Sequence, residues 1–243
     1  MIKVFFDFAF ALILLIILSP IVIIFSFFIW KQDYSTPFYI APRVGRNGSI
    51  FSIIKFRTMI INADQSGVDS TSISDRRITK LGSILRKYKI DEIPNLLNIL
   101  KGEMSFVGPR PNVKRETDLY TQEELQLLSV KPGITDFASI VFSDEGEILK
   151  NSKDPDLDYN QLIRPWKSRL GIYYVNHHHL VSDLYIIYLT LFSFFSRKKT
   201  LLNIHKYFSK KNISSKLKKI VKRDSILRPY PPPGMTKIVQ SRM

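Results

Sequence analysis

Two acids stand side by side at Asp91-Glu92, just ahead of Pro94 and the apolar stretch "PNLLNIL". Proline is favoured in a first helical turn, so a helix is expected to begin around the acids, with its positive dipole end facing them. Further on, Arg110 lies between Pro109 and Pro111. Their fixed φ angles stiffen the backbone and bias Gly108 and Arg110 away from the α region, and a stiff loop aims a guanidinium. In "SIFSIIKFRTM" a period of two puts Ile54, Phe56 and Thr58 on one face, and Ile53, Lys55 and Arg57 on the other. Arg86, five residues before the acid pair, adds a further cation. An isolated acid pair is usually a solvated helix start, and an isolated cation a surface charge. Together they form a set suited to a polyphosphate, which arginine binds in bidentate fashion. The acids can hold Mg²⁺, or an Asp can attack phosphorus to give an aspartyl phosphate, and residue types leave both routes open.

The elements that must carry this set begin in lipid. From Phe8 to Trp30, 23 consecutive residues carry no charge, which at about 1.5 Å per residue matches a hydrocarbon core of roughly 30 Å. The run is too long for the apolar core of a signal peptide and is read as retained. Ser19-Pro20 interrupts it: proline removes a donor and forces a kink, and the Ser19 hydroxyl can return to the Leu15 carbonyl. Backbone physics leaves a kinked single span and a re-entrant helix equally open. Lys3 and Lys31 flank the run almost symmetrically, so charge does not orient it.

Asn47-Gly48 is a tight-turn signal, so a hairpin is expected to lead into the Lys55 strand. Residues 62–74 read as a polar loop and 75–89 as a helix burying Leu81, Ile84 and Leu85. Thr121 and Glu124 form a capping box, and "KPG" at 131–133 stops the element it opens. The apolar stretch from Leu184 to Phe195 is too short to span a bilayer and ends in cations, the pattern of a helix lying at the interface. His177, His178 and His179 diverge on either a helix or a strand and are read as an interface loop rather than a metal site. Trp30 and Trp166 fit headgroup depth, although core packing explains Trp166 equally well.

The formal charge is +15 over 243 residues, but fourteen of the 36 basic residues and one of the 21 acids lie after residue 196. The first 196 residues are therefore close to neutral, which argues against a nucleic-acid-binding domain. The basic tail reads as a membrane arm, a partner-binding segment or a partly disordered stretch. With no cysteine, the chain has no disulfide framework and no thiolate metal site or nucleophile.

"RVGRNGSIFSIIKFRTM", "LRKYKIDEIPNLLNILKGEMSFVGPRP", "KPGIT" and a late "YYV…SDLYII" follow an apolar N-terminus containing "SP". In this order they resemble the bacterial sugar transferases, the monotopic polyprenyl-phosphate phosphoglycosyl transferases. The resemblance covers about residues 1–196. It implies transfer of a sugar-1-phosphate from a UDP-sugar to polyprenyl phosphate with release of UMP, at the cytoplasmic face of the inner membrane, to initiate glycan assembly. It further implies Asp91 as nucleophile, Glu92 as its partner in acid/base or metal work, Lys55, Arg86 and Arg110 as basic site positions, and Mg²⁺, held by Asp91, as cofactor. Asp183 matches a late aspartate of open role and is grouped, with Arg57, among the substrate-binding candidates. Ser19-Pro20 matches the helix-breaking pair and favours the re-entrant form. Where the family shows a Gly-Arg-Asn-like turn after "KPGIT", this chain reads "DFASIVFSDEGEIL", and Gly171 stands where an acid commonly precedes "YYV". Those departures bear on how nucleotide and sugar are held, and leave the acid block intact.

The expected fold is α+β and mainly helical. It is a small membrane-associated domain with an N-terminal re-entrant membrane helix (1–34), a catalytic domain (35–196) with a short β-hairpin and amphipathic interface helices, and a polybasic extension (197–243). A competing reading is a non-catalytic membrane scaffold that binds nucleotide sugar and recruits later enzymes of a glycan pathway.

Overall fold

A computed structural model describes residues 2–66 and 70–241. Helix α1 (Ile2–Asp33) takes in the whole apolar run and stays helical on both sides of Pro20. Pro20 removes the N–H that would have reached the Ile16 carbonyl, and Ser19 Oγ donates to that same oxygen at 2.8 Å. Ile16 rather than Leu15 is the acceptor, because it is the carbonyl that the proline leaves orphaned.

By length and composition α1 could cross a membrane, yet both of its ends are fastened to one domain. Lys3 pairs with Asp183, the Asp7 carboxylate accepts from the Phe106 N–H at 3.4 Å, and Asp33 takes Arg57 in a bidentate pair at 2.6 and 2.7 Å. Between these ties Ala11 and Ile29 are buried, while Phe5, Ile13, Ile16, Ile17 and Phe28 point away from the domain.

Strands β1 (Phe38–Val44) and β2 (Ile50–Phe56) form the expected antiparallel hairpin, with Phe38 opposite Phe56 and Val44 opposite Ile50. Asn47 and Gly48 adopt φ of 56° and 78° in its turn, the left-handed conformation that Asn-Gly tolerates. Helix α2 (Lys80–Lys87) is shorter than expected, because Thr79 caps it by accepting from the Gly82 N–H at 2.9 Å. Leu85 is buried and Leu81 half-buried, but Ile84 faces outward. Within the polar loop expected at 62–74, residues 67–69 lie outside the described residues.

The acids occupy a single 3₁₀ turn, Ile90–Glu92, and α3 (Asn95–Leu100) begins only after Pro94. Six residues make little macrodipole, so the helix-end field expected at the acids is weak. Strands β3 (Ser105–Val107) and β4 (Gly133–Thr135) pair in parallel, with α4 (Lys114–Thr117) between them in sequence. The Thr121/Glu124 capping box forms, at 3.0 and 3.1 Å, but opens a 3₁₀ turn, Glu124–Ser129.

Three short helices, α5 (Phe137–Val141), α6 (Glu145–Ile148) and α7 (Pro155–Asp158), lead into α8 (Arg164–His177) and α9 (Leu180–Ser193). In α9, Ile186 and Leu189 are buried, while Val181, Leu184, Tyr188 and Leu191 form an exposed apolar stripe at helical spacing, as an interface helix requires. His179 Nδ1 caps α9 by accepting from the Ser182 N–H at 3.1 Å.

The extension is folded. Helices α10 (Arg197–Ser209) and α11 (Ser215–Lys222) bury Leu201, Ile204, Phe208, Leu217 and Val221 in the same core as Phe137, Leu170 and Ile186. Beyond them the chain returns as a strap. Tyr230 stacks on Trp166 at 4.5 Å, and the Pro233 and Val239 carbonyls accept from Thr121 and Gln161, each at 2.6 Å. Trp166 is therefore a core residue under the strap, and Trp30 remains half exposed.

Candidate active site

The 3₁₀ turn is set by Lys89, whose φ of 58° turns the chain sharply after α2. Asn98, fully buried on α3, holds the turn against the hairpin: its Nδ2 donates to the Ser52 carbonyl at 2.7 Å, and its Oδ1 accepts from the Ile54 N–H at 3.0 Å. Glu92 is thereby delivered to β2, where one oxygen accepts from Lys55 Nζ at 3.0 Å and from Arg110 Nη2 at 2.7 Å.

The Arg110 loop is fixed from the other side. Gly108 donates to the Thr135 carbonyl, and the Pro109 carbonyl accepts from Gly133, both at 3.0 Å. A side chain on Gly133 would come within 2.1 Å of the Gly108 nitrogen, so both positions demand glycine and the "GPRP" and "KPG" segments pack backbone to backbone. Arg86, in the last turn of α2, donates from Nε to Thr58 Oγ1 at 2.8 Å.

A cleft of about 1490 Å³ takes in Asp91, Glu92, Lys55, Arg86 and Arg110. One wall runs through residues 139–147 and Lys167, and Thr190 and Ser193 of α9, with Phe194 just beyond its end, reach the cleft. On the far wall Lys167 pairs with Glu145. Arg57 also borders the cleft, but its guanidinium is taken by Asp33 and by the Thr36 carbonyl at 2.8 Å. A period of two places it beside Lys55, but β2 ends at Phe56, so Arg57 leaves the strand and anchors α1 instead. Asp183 does not line the cleft. It is buried at the far end of α1, accepting from Tyr174 Oη at 2.8 Å and pairing with Lys3. Ser19 and Pro20 likewise lie outside it, within α1.

The two acids differ in circumstance. Burial opposes ionisation of Glu92, but Arg110, Lys55 and Lys89 overcome it and hold its carboxyl well below the usual range. Asp91 Oδ1 is buried and has no hydrogen-bond partner among the described residues. Burial, then the neighbouring Glu92 charge, push the Asp91 carboxyl up, with Lys55, Lys89 and Arg86 opposing. Burial, with the Arg110 charge, draws Lys55 down to about 8 against the pull of Glu92 and Asp91. Both acids line the cleft, but Glu92 serves as a clamp for two cations, whereas Asp91 Oδ1 is left without a partner among the described residues.

Among the described residues no three His, Asp or Glu converge as a ready metal cage. An orphaned Asp91 oxygen beside a cleft lined by Lys55, Arg86 and Arg110 does fit Mg²⁺, which commonly binds through one or two carboxylates with phosphate oxygens and water completing its shell.

Sequence reasoning missed Thr58, Asn98 and the Lys167–Glu145 pair. Asn98, polar within "NLLNIL", carried a signal; Lys167 and Glu145 did not, because they meet only through the fold.

The sequence model of the bacterial sugar transferase family matches residues 1–197. The exopolysaccharide production protein ExoY of Sinorhizobium fredii is 34% identical over 76% of this chain and 82% of its own length. An uncharacterised sugar transferase of Haemophilus influenzae is 33% identical over 73% of this chain, which spans only 37% of that protein. The UDP-N-acetylgalactosamine-undecaprenyl-phosphate N-acetylgalactosaminephosphotransferase of Aeromonas hydrophila is 30% identical over 74% of this chain and 40% of its own length.

Proposed function

The chain belongs to the bacterial sugar transferase family, and on that premise we propose that it transfers a sugar-1-phosphate from a UDP-sugar to polyprenyl phosphate at a membrane surface. A relative named for this chemistry on undecaprenyl phosphate supports the reaction class. The observation that carries the mechanism is the unequal state of the acid pair, with Glu92 clamped by Lys55 and Arg110, and Asp91, which lines the cleft, left with a buried oxygen that has no hydrogen-bond partner among the described residues.

In the first step an Asp91 oxygen attacks the sugar-bearing phosphorus of the UDP-sugar. An Asp91–phosphorus bond forms, the bond to the bridging oxygen breaks, and UMP departs with that oxygen. In the second step a phosphate oxygen of the polyprenyl carrier attacks the same phosphorus, the acyl phosphate bond breaks, and the Asp91 carboxylate is restored. Lys55, Arg86 and Arg110 offset the diphosphate charge, so that one anion can approach another. Mg²⁺, held by Asp91 and the diphosphate, would supply further charge neutralisation.

The membrane placement rests on α1. A helix of about 48 Å with both ends tied to one domain is best accommodated by entering and leaving a single leaflet. The outward faces of α1 and α9 are apolar, and the cleft reaches α9 at Thr190 and Ser193, so a lipid phosphate can arrive from the bilayer side. We assign that side to the cytoplasmic face of the inner membrane, where nucleotide sugars are made.

The test is UMP release from a UDP-sugar panel with polyprenyl phosphate and Mg²⁺. Asp91→Asn should abolish it, and intact mass should find the phosphosugar adduct on Asp91 when the lipid acceptor is withheld. Normal turnover by Asp91→Asn refutes the assignment.

A further inference from the structure

Arg223 closes α11, beyond the stretch the family model matches. Its φ of 53° is left-handed, which a side-chain-bearing residue rarely adopts. The turn folds its side chain inward until only 8% is exposed. The guanidinium lies 5.2 Å over the Phe142 ring, and Nη2 donates to an Asp144 oxygen at 3.1 Å. Arg197 lies 2.9 Å from the other oxygen of the same carboxylate, an ion pair without hydrogen-bond geometry, and donates to Ser143 Oγ at 3.0 Å and to the Val141 carbonyl at 3.1 Å.

Asp144 stands directly before Glu145, the partner of Lys167 in the cleft. Two residues on, the Gly146 carbonyl accepts from the Ile73 N–H at 3.0 Å, tying this wall to the 71–73 segment, which also lines the cleft. Arg223 itself is costly: its Nε and Nη1 are buried without hydrogen-bond partners among the described residues. A well-packed apolar side chain would stabilise such a site better than a half-satisfied guanidinium. What only a cation can do here is hold Asp144.

We propose that Arg223 is a positioning residue: with Arg197 it clamps Asp144, and so fixes segment 142–147 with Glu145 and Lys167 facing the diphosphate of the nucleotide sugar. This rests on the function proposed above. The extension is then part of the active-site architecture and not an appendage to it.

The experiment uses the full chain in detergent, assayed for UMP release with whichever of UDP-glucose, UDP-galactose and UDP-N-acetylgalactosamine it turns over. Arg223→Gln should raise KM for that UDP-sugar roughly tenfold, the scale of one lost charge-assisted hydrogen bond, with kcat held within about twofold. Amide exchange across 142–147 should quicken. Arg223→Lys should recover most of the loss, and Lys222→Gln, which removes an equal charge from an exposed neighbour, should behave as the unmutated chain. An unchanged KM in Arg223→Gln overturns the proposal, as does a fall in kcat that merely tracks a lowered melting temperature. If the unmutated chain releases UMP from none of the three sugars, the functional reading fails and takes this inference with it; an active chain indifferent to Arg223 defeats this inference alone.

Discussion

Glu92→Gln tests the division of labour between the two acids. Glu92 and Lys55 have side chains only 8% and 16% exposed and meet at 3.0 Å, whereas the Arg110 side chain is 42% exposed. A buried charge-assisted bond contributes about 1.5–3 kcal/mol, and the solvent-screened arm to Arg110 below about 1 kcal/mol. Glutamine keeps one acceptor oxygen but not the charge, so the expected destabilisation is about 2–3 kcal/mol. For a chain of this size that lowers the melting temperature by roughly 4–12 °C. The folded Glu92 carboxyl lies well below its ordinary 4.5, so its contribution is complete above that value and is lost as pH falls through the depressed one. The gap between the two proteins should therefore close in acid.

The same substitution acts on both neighbours in a defined direction. Glu92 raises Lys55, which sits at about 8, and it raises Asp91 as well. Removing its charge should move both limbs of the kcat/KM profile for UMP release to lower pH, because that parameter follows the free enzyme's groups. With Lys55 partly neutral and Arg110 released, kcat/KM at pH 8 should fall by about a hundredfold. A variant that loses activity while its melting temperature and both limbs stay fixed would show Glu92 to be a direct acid, base or metal ligand, and the clamp argument would be wrong.

Two further perturbations probe the attachments. Lys3→Met strands the Asp183 carboxylate, 1% exposed, with Tyr174 as its remaining side-chain donor; it should cost about 1–3 kcal/mol, and a melting temperature equal to the parent's would show that this pair does not hold the end of α1. Tyr230→Ala removes the ring stacked on Trp166 and should cost about 1–2 kcal/mol, with a red-shifted tryptophan emission and faster proteolysis after residue 223. Emission and cleavage like the parent's would mean that the strap is held elsewhere.

What could be read from the sequence was whatever a local rule governs. Asn47-Gly48 announces its hairpin because few residues tolerate left-handed φ, and the uncharged run from Phe8 to Trp30 announces a lipid-facing helix. The prolines around Arg110 correctly indicated a fixed loop, although the close approach of Gly108 and Gly133 that completes the fixation joins segments distant in sequence. Arg57 shows the limit of periodicity: alternation holds only while the strand lasts, and the strand stops one residue earlier. Composition left the extension open between a membrane arm, a partner-binding segment and partial disorder. Lysine-rich sequence with sparse apolars reads as solvated, yet Leu201, Ile204, Phe208, Leu217 and Val221 recur at helical spacing and find a ready apolar surface on α8 and α9. Their partners, and not their own number, decide whether they are buried.

Two neighbouring carboxylates of similar intrinsic acidity, 3.8 for Asp91 and 4.5 for Glu92, are driven in opposite directions here by their surroundings. Successive residues of a 3₁₀ turn point about 120° apart, so Lys89, by forcing that turn, sends Glu92 toward β2 and leaves Asp91 toward the cleft. Once Glu92 is held ionised by two cations, its charge works on Asp91 at short range and disfavours a second anion. A carboxylate with a raised pKa is the stronger nucleophile, and Lys55, Lys89 and Arg86 oppose its protonation. On the proposed mechanism the pair acts as a unit, with Glu92 holding the cations that would receive the diphosphate and sharpening the oxygen that would attack it. Exchanging the two residues, Asp91→Glu with Glu92→Asp, keeps charge and composition but shortens the clamp arm by one methylene and lengthens the attacking one. If geometry and not charge count governs the site, the exchanged protein should be as inactive as Asp91→Asn.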